Sequence, residues 1–178
     1  FLGKEIQPLD VSNLNSILNN FKKYKVQAIA VCLIHSYANS LHEQKVVDHI
    51  KNSWPDVDVV SSYQINREWR EYERSNTTVL CAYVKPIARN YLNKLSTKLK
   101  ESNFSGNPYV MQSNGGIDTF EATKNIPLTM IESGPTSGVL GAAELGKLIG
   151  EKNIISLDVG GTTAKCSLIE NGNVKINT

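Results

Sequence analysis

The residues best suited to chemistry run Ile154-Ile155-Ser156-Leu157-Asp158-Val159-Gly160-Gly161-Thr162-Thr163-Ala164-Lys165-Cys166-Ser167-Leu168-Ile169. An apolar strand ends on an acid, two glycines make a tight turn, hydroxyls follow, and a second apolar strand leads away. Such a turn suits phosphate. The glycines let backbone donors approach closely, Thr162 and Thr163 add side-chain donors, and Asp158 is able to hold Mg²⁺ or its water. The same residues also read as an ordinary Gly-Gly hairpin with an Asp at the strand end.

Two further stretches carry a similar promise. In Met130-Ile131-Glu132-Ser133-Gly134-Pro135-Thr136-Ser137-Gly138-Val139-Leu140-Gly141-Ala142-Ala143, the residues Gly134, Gly138, Gly141 and Ala142 line one helical face with almost no side chain. Close packing against another backbone is the favoured reading of that face. Ser133 and Pro135 mark the helix start, whose free amides also suit an anion. The third stretch, Gln112-Ser113-Asn114-Gly115-Gly116, is a polar glycine-rich loop expected just after a buried strand, the place where open α/β sheets bind ligands. A plain turn accounts for it equally well.

Other candidates weigh less. His35 and His42 match no common metal spacing, and a loop histidine that caps neighbouring backbone is the simpler reading. The run from Glu68 to Arg74 reads as a solvated helix face, with an ion-pair cluster or a substrate-side role as the alternative. Cys32, Cys81 and Cys166 sit apart among apolar or small residues, which indicates reduced, buried thiols and core packing over nucleophilic catalysis.

The elements that must position these residues alternate between strand-like apolar runs and helix-like periodic stretches. That pattern predicts an α/β domain with a largely parallel sheet. A helix is predicted over 11–24 from Val11, Leu14, Ile17, Leu18 and Phe21, followed by a buried strand from Val26 to Ile34. Leu41 to Asn52 reads as a second helix with Leu41, Val46, Val47 and Ile50 inward, and Val57 to Ser61 as the next strand. A long helical region from about Ser75 to Leu99 is interrupted by Pro86, which should kink or split it. Tyr109 to Gln112 reads as a short strand, Gly134 to Leu148 as a helix and Ile154 to Asp158 as a strand. Asn171-Gly172 signals a hairpin between Lys165 to Glu170 and Val174 to Ile176.

Composition bounds the partners. Nineteen Lys and Arg stand against 17 Asp and Glu, for a formal charge of +2, and the basic residues are scattered. No electrostatic footprint for nucleic acid or an anionic membrane follows. No apolar run approaches the roughly 18 residues that a membrane span needs, and no basic n-region precedes a hydrophobic stretch, so a soluble, cytoplasmic protein is expected. The chain opens on Phe1-Leu2-Gly3-Lys4 and stops at Asn177-Thr178 soon after a strand, and both ends are expected to be cut from a longer protein.

The three glycine-rich stretches, with Arg70-Glu71-Tyr72-Glu73-Arg74-Ser75-Asn76-Thr77-Thr78-Val79 and Ala82-Tyr83-Val84-Lys85-Pro86 before them, resemble the hydantoinase A/5-oxoprolinase family, which includes subunits of acetone and acetophenone carboxylases. Ala30-Val31-Cys32-Leu33-Ile34-His35-Ser36-Tyr37 and His42-Glu43 extend the resemblance along essentially the whole chain. The resemblance implies a partial actin-like ATPase (ribonuclease H-like) fold. Residues 1–133 would form the C-terminal part of the first lobe, with 1–62 closing the family's N-terminal region and about 75–178 opening its hydantoinase A region. Residues 134–150 would then form a connecting helix, and 153–178 the start of the second lobe with its phosphate hairpin. The family's first phosphate hairpin and its adenosine-binding segment are absent.

The resemblance further implies ATP and Mg²⁺ as cofactors. Asp158 is expected to be catalytic and to hold the metal. Contacts to ATP are expected from Gly160, Gly161, Thr162, Thr163 and Lys165, from Ser113, Asn114, Gly115 and Gly116, and from Ser133 and Gly134. Many relatives place an Asp where this sequence has Lys165, so a cation that pairs with phosphate or with a nearby acid replaces a metal ligand there. The implied activity is ATP-driven ring opening of a cyclic amide or imide, of the 5-oxoproline or hydantoin type, completed by a hydantoinase B-type subunit or domain. The alternatives are an ATP-dependent ketone carboxylase subunit and a nucleotide-gated module without enzymatic activity. The fragment alone is expected to be inactive and to bind ATP weakly.

Overall fold

The computed structural model describes residues 3–175, and contacts divide the chain into two units. The first comprises residues 1–103 and 124–128, the second residues 104–123 and 129–178.

In the first unit, alternation along one short strand sets up three layers. Strand β1 (Ala28–Val31) pairs in parallel with β2 (Asp58–Ser61), Ala28 opposite Asp58 and Val31 opposite Ser61. Ile29, Val31 and Val59 join Leu18 of α1 (Leu14–Lys23) and Val47 and Ile50 of α2 (Leu41–Ser53) in one buried cluster. Successive strand side chains point to opposite faces. Ala28, Ala30 and Val60 accordingly meet Cys81 and Ala82 of a long helix, α4 (Glu71–Glu101), on the other side. Each large apolar side chain so buried stabilises the fold by about 1.5–3 kcal/mol. A short helix, α3 (Ser62–Ile65), follows β2 directly.

Three details depart from the sequence reading. The first strand ends at Val31 rather than Ile34, because the Leu33 amide donates to the Glu43 carboxylate and the Leu33 carbonyl accepts from Arg74. Backbone groups committed to side chains do not join a ladder. Leu41, expected inward, is exposed, and Glu43 is buried in its place. Pro86 does not split α4, which runs unbroken for 31 residues. Buried Arg74, Thr78, Cys81, Ala82, Ala88 and Leu92 give it a continuous inward face, which holds the helix through the missing backbone donor.

The second unit is built from hairpins. Strand β3 (Tyr109–Met111) pairs antiparallel with β4 (Ile117–Thr119) across residues 112–116. Helix α5 (Phe120–Asn125) and a 3-10 turn (Pro127–Met130) lead to α6 (Ser133–Ile149). Strands β5 (Ile154–Val159), β6 (Ala164–Glu170) and β7 (Asn173–Val174) form an antiparallel sheet in that order. The expected largely parallel sheet is therefore corrected: among the described residues only β1 and β2 run parallel. Connections of two, four and five residues cannot cross over a sheet, so they close hairpins. The Asn171-Gly172 turn matches its sequence signal, with φ of 53° and 77°. Ile176, the expected end of that hairpin, lies outside the described residues.

Candidate functional site

The turn after β5 is a two-strand hairpin with spare donors. Asp158 pairs with Lys165 and Val159 with Ala164, and the Gly160 amide donates to the Thr163 carbonyl at 2.9 Å. The Gly160 amide, expected to face phosphate, is thus spent within the turn. The amides of Gly161 and Thr162 and the hydroxyls of Thr162 and Thr163 meet no acceptor among the described residues. All four residues of the turn are exposed, as is Asp158 at the strand end. An open turn with unspent amides and hydroxyls next to a carboxylate has the donor chemistry that a phosphate oxygen and a hard cation require.

Strand β6 ties this hairpin to the start of α6. The Lys165 ammonium pairs with the carboxylate of Glu132, the residue that precedes the helix in a left-handed conformation, φ 66°. Of the two roles open to Lys165, the structure holds the one with a nearby acid. Glu132 carried no sequence signal, because its partner lies 33 positions away.

The second loop reaches the same helix start. Thr136 on the first turn of α6 donates its hydroxyl to the Ser113 carbonyl at 3.1 Å, and Gly115 sits against Leu140 and Thr136. Within the loop, the Gly115 amide donates to the Gln112 carbonyl, the Gly116 amide to Asn114 Oδ1, and the Ser113 amide to the Thr129 carbonyl. Gly115 holds φ 87°, which requires glycine in practice. The amides of Gly115 and Gly116 are therefore spent within the hairpin, and that of Ser113 on Thr129. The buried strand expected to precede it is exposed at Tyr109 and only half-buried beyond. Ser133 and Gly134 stand at the helix start with amides that have no partner among the described residues. The three glycine-rich stretches thus meet around one end of α6.

The glycine face of α6 differs from its expected role. A Cβ built on Gly134, Gly138 or Gly141 would meet nothing within 4 Å, so no backbone of the described residues presses there. The packing glycine is Gly146, where a Cβ would fall 2.3 Å from Ile154 Cδ1 and 2.6 Å from the Glu151 carbonyl oxygen. Ala143 and Gly146 are the buried residues of the helix. Cys166, expected to be buried, is exposed on the outward face of β6. Cys81 is buried, and burial pushes its thiol up, away from nucleophilic use.

In the first unit the charged run near residue 70 is solvated at Glu68, Arg70 and Glu73, as expected, with Glu71 half-buried and Arg74 alone turned inward as a buried hub. Arg74 is fully buried. It donates to the Leu33 carbonyl at 2.8 Å and the Glu68 carbonyl at 3.0 Å, pairs with Glu71, and stacks over the Tyr37 ring. Glu43, also fully buried, accepts from the Leu33 amide at 2.7 Å, the Ser62 hydroxyl at 2.6 Å and the Tyr63 amide at 3.1 Å. His42 meets Glu5 at 2.6 Å. Among the described residues no three His, Cys, Asp or Glu side chains gather as metal ligands, and no helix is long and apolar enough to cross a membrane.

Comparison with known proteins places these features in context. The sequence pattern of hydantoinase/oxoprolinase matches residues 74–178, and that of the hydantoinase/oxoprolinase N-terminal region matches residues 1–54. The chain is 43% identical over 169 residues to an uncharacterized protein of Methanocaldococcus jannaschii, covering 95% of this chain and 25% of that protein. It is 30% identical over 170 residues to the caprolactamase subunit alpha of Pseudomonas jessenii, covering 96% and 24%. The nucleotide-free structure of acetone carboxylase superposes with a TM-score of 0.80 at 31% identity, covering 97% of this chain and 24% of that one. The chain spans about a quarter of the length of each of these three relatives.

Proposed function

The chain belongs to the hydantoinase/oxoprolinase family and has the α/β fold of part of an actin-like ATPase; from that premise we propose that the complete protein uses ATP to open a cyclic amide or imide ring. The observation that carries this reading is the convergence of three glycine-rich stretches on the start of α6, beside a turn whose amides and hydroxyls remain unspent. In this reading residues 1–133 belong to the first lobe, 134–150 connect the lobes, and 153–178 begin the second. Bound ATP with Mg²⁺ would supply the phosphoryl group that makes the amide carbonyl carbon open to attack by water.

The chain's own residues hold and neutralise. The amides of Gly161 and Thr162 and the hydroxyls of Thr162 and Thr163 bind phosphate oxygens, and Asp158 holds the cation or its water. The amides of Ser133 and Gly134 add the positive end of α6. Lys165, tied to Glu132, fixes the hairpin against that helix, and its ammonium lends positive charge beside the turn. Ser113, Asn114, Gly115 and Gly116 form the wall of the site through Thr136. A hydantoinase B-type subunit or domain is the proposed partner, and the matched caprolactamase chain is by name one subunit of its enzyme.

A second reading is favoured by the 0.80 superposition on acetone carboxylase, whose structure concerns ATP-dependent acetone carboxylation. The same site would then serve a ketone carboxylase. Asp158→Ala in the complete protein decides whether the turn carries ATP chemistry. The variant is expected to keep its fold by circular dichroism and to lose ATP hydrolysis by about a hundredfold or more. Wild-type turnover would refute the assignment. ATP turnover stimulated by a cyclic amide but not by acetone with bicarbonate separates the two readings.

A further inference from the structure

We propose that the first unit carries a second anion site, a pocket of about 520 Å³ that binds a small, multiply charged oxyanion, either a phosphate or a dicarboxylate. Three cations from separate elements line it: Lys51 near the end of α2, Arg67 after α3, and Lys85 in the middle of α4. Tyr63, Gln64 and Asn125 complete its polar wall. No carboxylate lines the pocket, and among the described residues none stands at ion-pair distance from these three cations.

The donors are preset for an acceptor. The Lys85 ammonium gives one bond to the Val59 carbonyl at 3.3 Å, which leaves two of its three protons unspent. Arg67 uses Nε on the Tyr63 carbonyl at 3.4 Å and keeps both terminal nitrogens. Gln64 accepts from the Ser61 hydroxyl at 2.8 Å through its oxygen, so its NH₂ group is left to donate. Asp58, the carboxylate nearest to balancing Lys85, is engaged by Arg89 at 2.8 Å. Burial depresses the Lys85 ammonium, Asp58 and then Cys81 offset part of that, and the charges of Lys51 and Arg89 add to the depression. Like charges gathered around a half-buried ammonium cost energy while the pocket lacks an anion, and an oxyanion relieves that cost. The site lies wholly within the first unit, so it does not rest on the nucleotide reading of the turn after β5.

Isothermal titration of the complete protein with inorganic phosphate and with malonate tests the proposal, in the presence of a saturating non-hydrolysable ATP analogue. Arg67→Gln changes an exposed residue, and Lys85→Met keeps the length of the stem. Each is expected to weaken anion binding at least tenfold. Phosphate alone binding identifies a phosphate ligand, malonate alone a carboxylate, and both a pocket that reads charge; all three support the site. Absence of binding by both anions, or affinity unchanged in Arg67→Gln, overturns it. Should Lys85→Met fail to fold, Arg67→Gln decides alone.

Discussion

Two glycines five positions apart on α6 should respond in opposite directions to the same methyl group. Gly141→Ala adds a Cβ into open space, so helix propensity alone acts and stabilises by about 1 kcal/mol. Gly146→Ala puts its Cβ 2.6 Å from the Glu151 carbonyl and 2.3 Å from Ile154 Cδ1. The isoleucine methyl is free to swing aside. The carbonyl is backbone, and the Glu151 amide is itself bonded to the Gly146 carbonyl at 2.9 Å, so the helix end has to shift as a whole. Overpacking of that kind costs about 1–3 kcal/mol; taking the upper value against the propensity gain leaves a net loss of about 2 kcal/mol. The two variants then differ by about 3 kcal/mol, or about 6–12 °C in melting temperature at this chain length. Thermal unfolding followed by circular dichroism reads the difference, and hydrogen exchange of the α6 and β5 amides locates it. Equal stability of the two variants would refute the packing argument. Loss of stability in Gly141→Ala within the complete protein alone would show that a segment beyond this chain covers that face.

Glu43→Gln keeps shape but removes the charge that three donors share, and should destabilise the first unit by about 2 kcal/mol or more in urea unfolding; an unchanged midpoint would show that the hub is not structural. Asp58 gives a pH dependence of definite sign. Burial raises its carboxyl above the ordinary Asp value, with Arg89 and Lys85 offsetting only part, and its Oδ2 has no partner. The folded state therefore keeps this proton to higher pH than the unfolded chain, and the group's contribution falls as pH rises from the ordinary value through the raised one. Asp58→Asn removes that slope, so its melting temperature relative to the wild type should be more favourable at pH 7 than at pH 4, and a difference independent of pH would refute the assignment.

Much of the framework is written locally. Leu18, Val47 and Ile50 are periodic signals, and Asn171-Gly172 names its own turn. What escaped depends on partners distant in sequence. The ending of β1 at Val31 is decided by Glu43 and Arg74, whose burial no window around residue 33 contains. The antiparallel pairing of β3 follows from β4, a three-residue strand too short to show a period. Gly146 could not be told from Gly141 by composition, since the difference is the position of Ile154. At the site, the residue types of the turn were legible and their hydrogen-bond accounts were not. Gly160, Gly115 and Gly116 spend their amides within their own turns, and Glu132 reaches Lys165 only once the hairpin is folded.

Alternation on β5 and β6 leaves Ile155, Leu157, Val159 and Leu168 together on one exposed sheet face, with Cys166 among them. Strand β5 is also the edge of its sheet. An uncovered apolar face beside an unpaired edge is a template for intermolecular association. In isolation, that face favours association that grows with the concentration of this chain, and a charged residue at Leu157 is expected to weaken it.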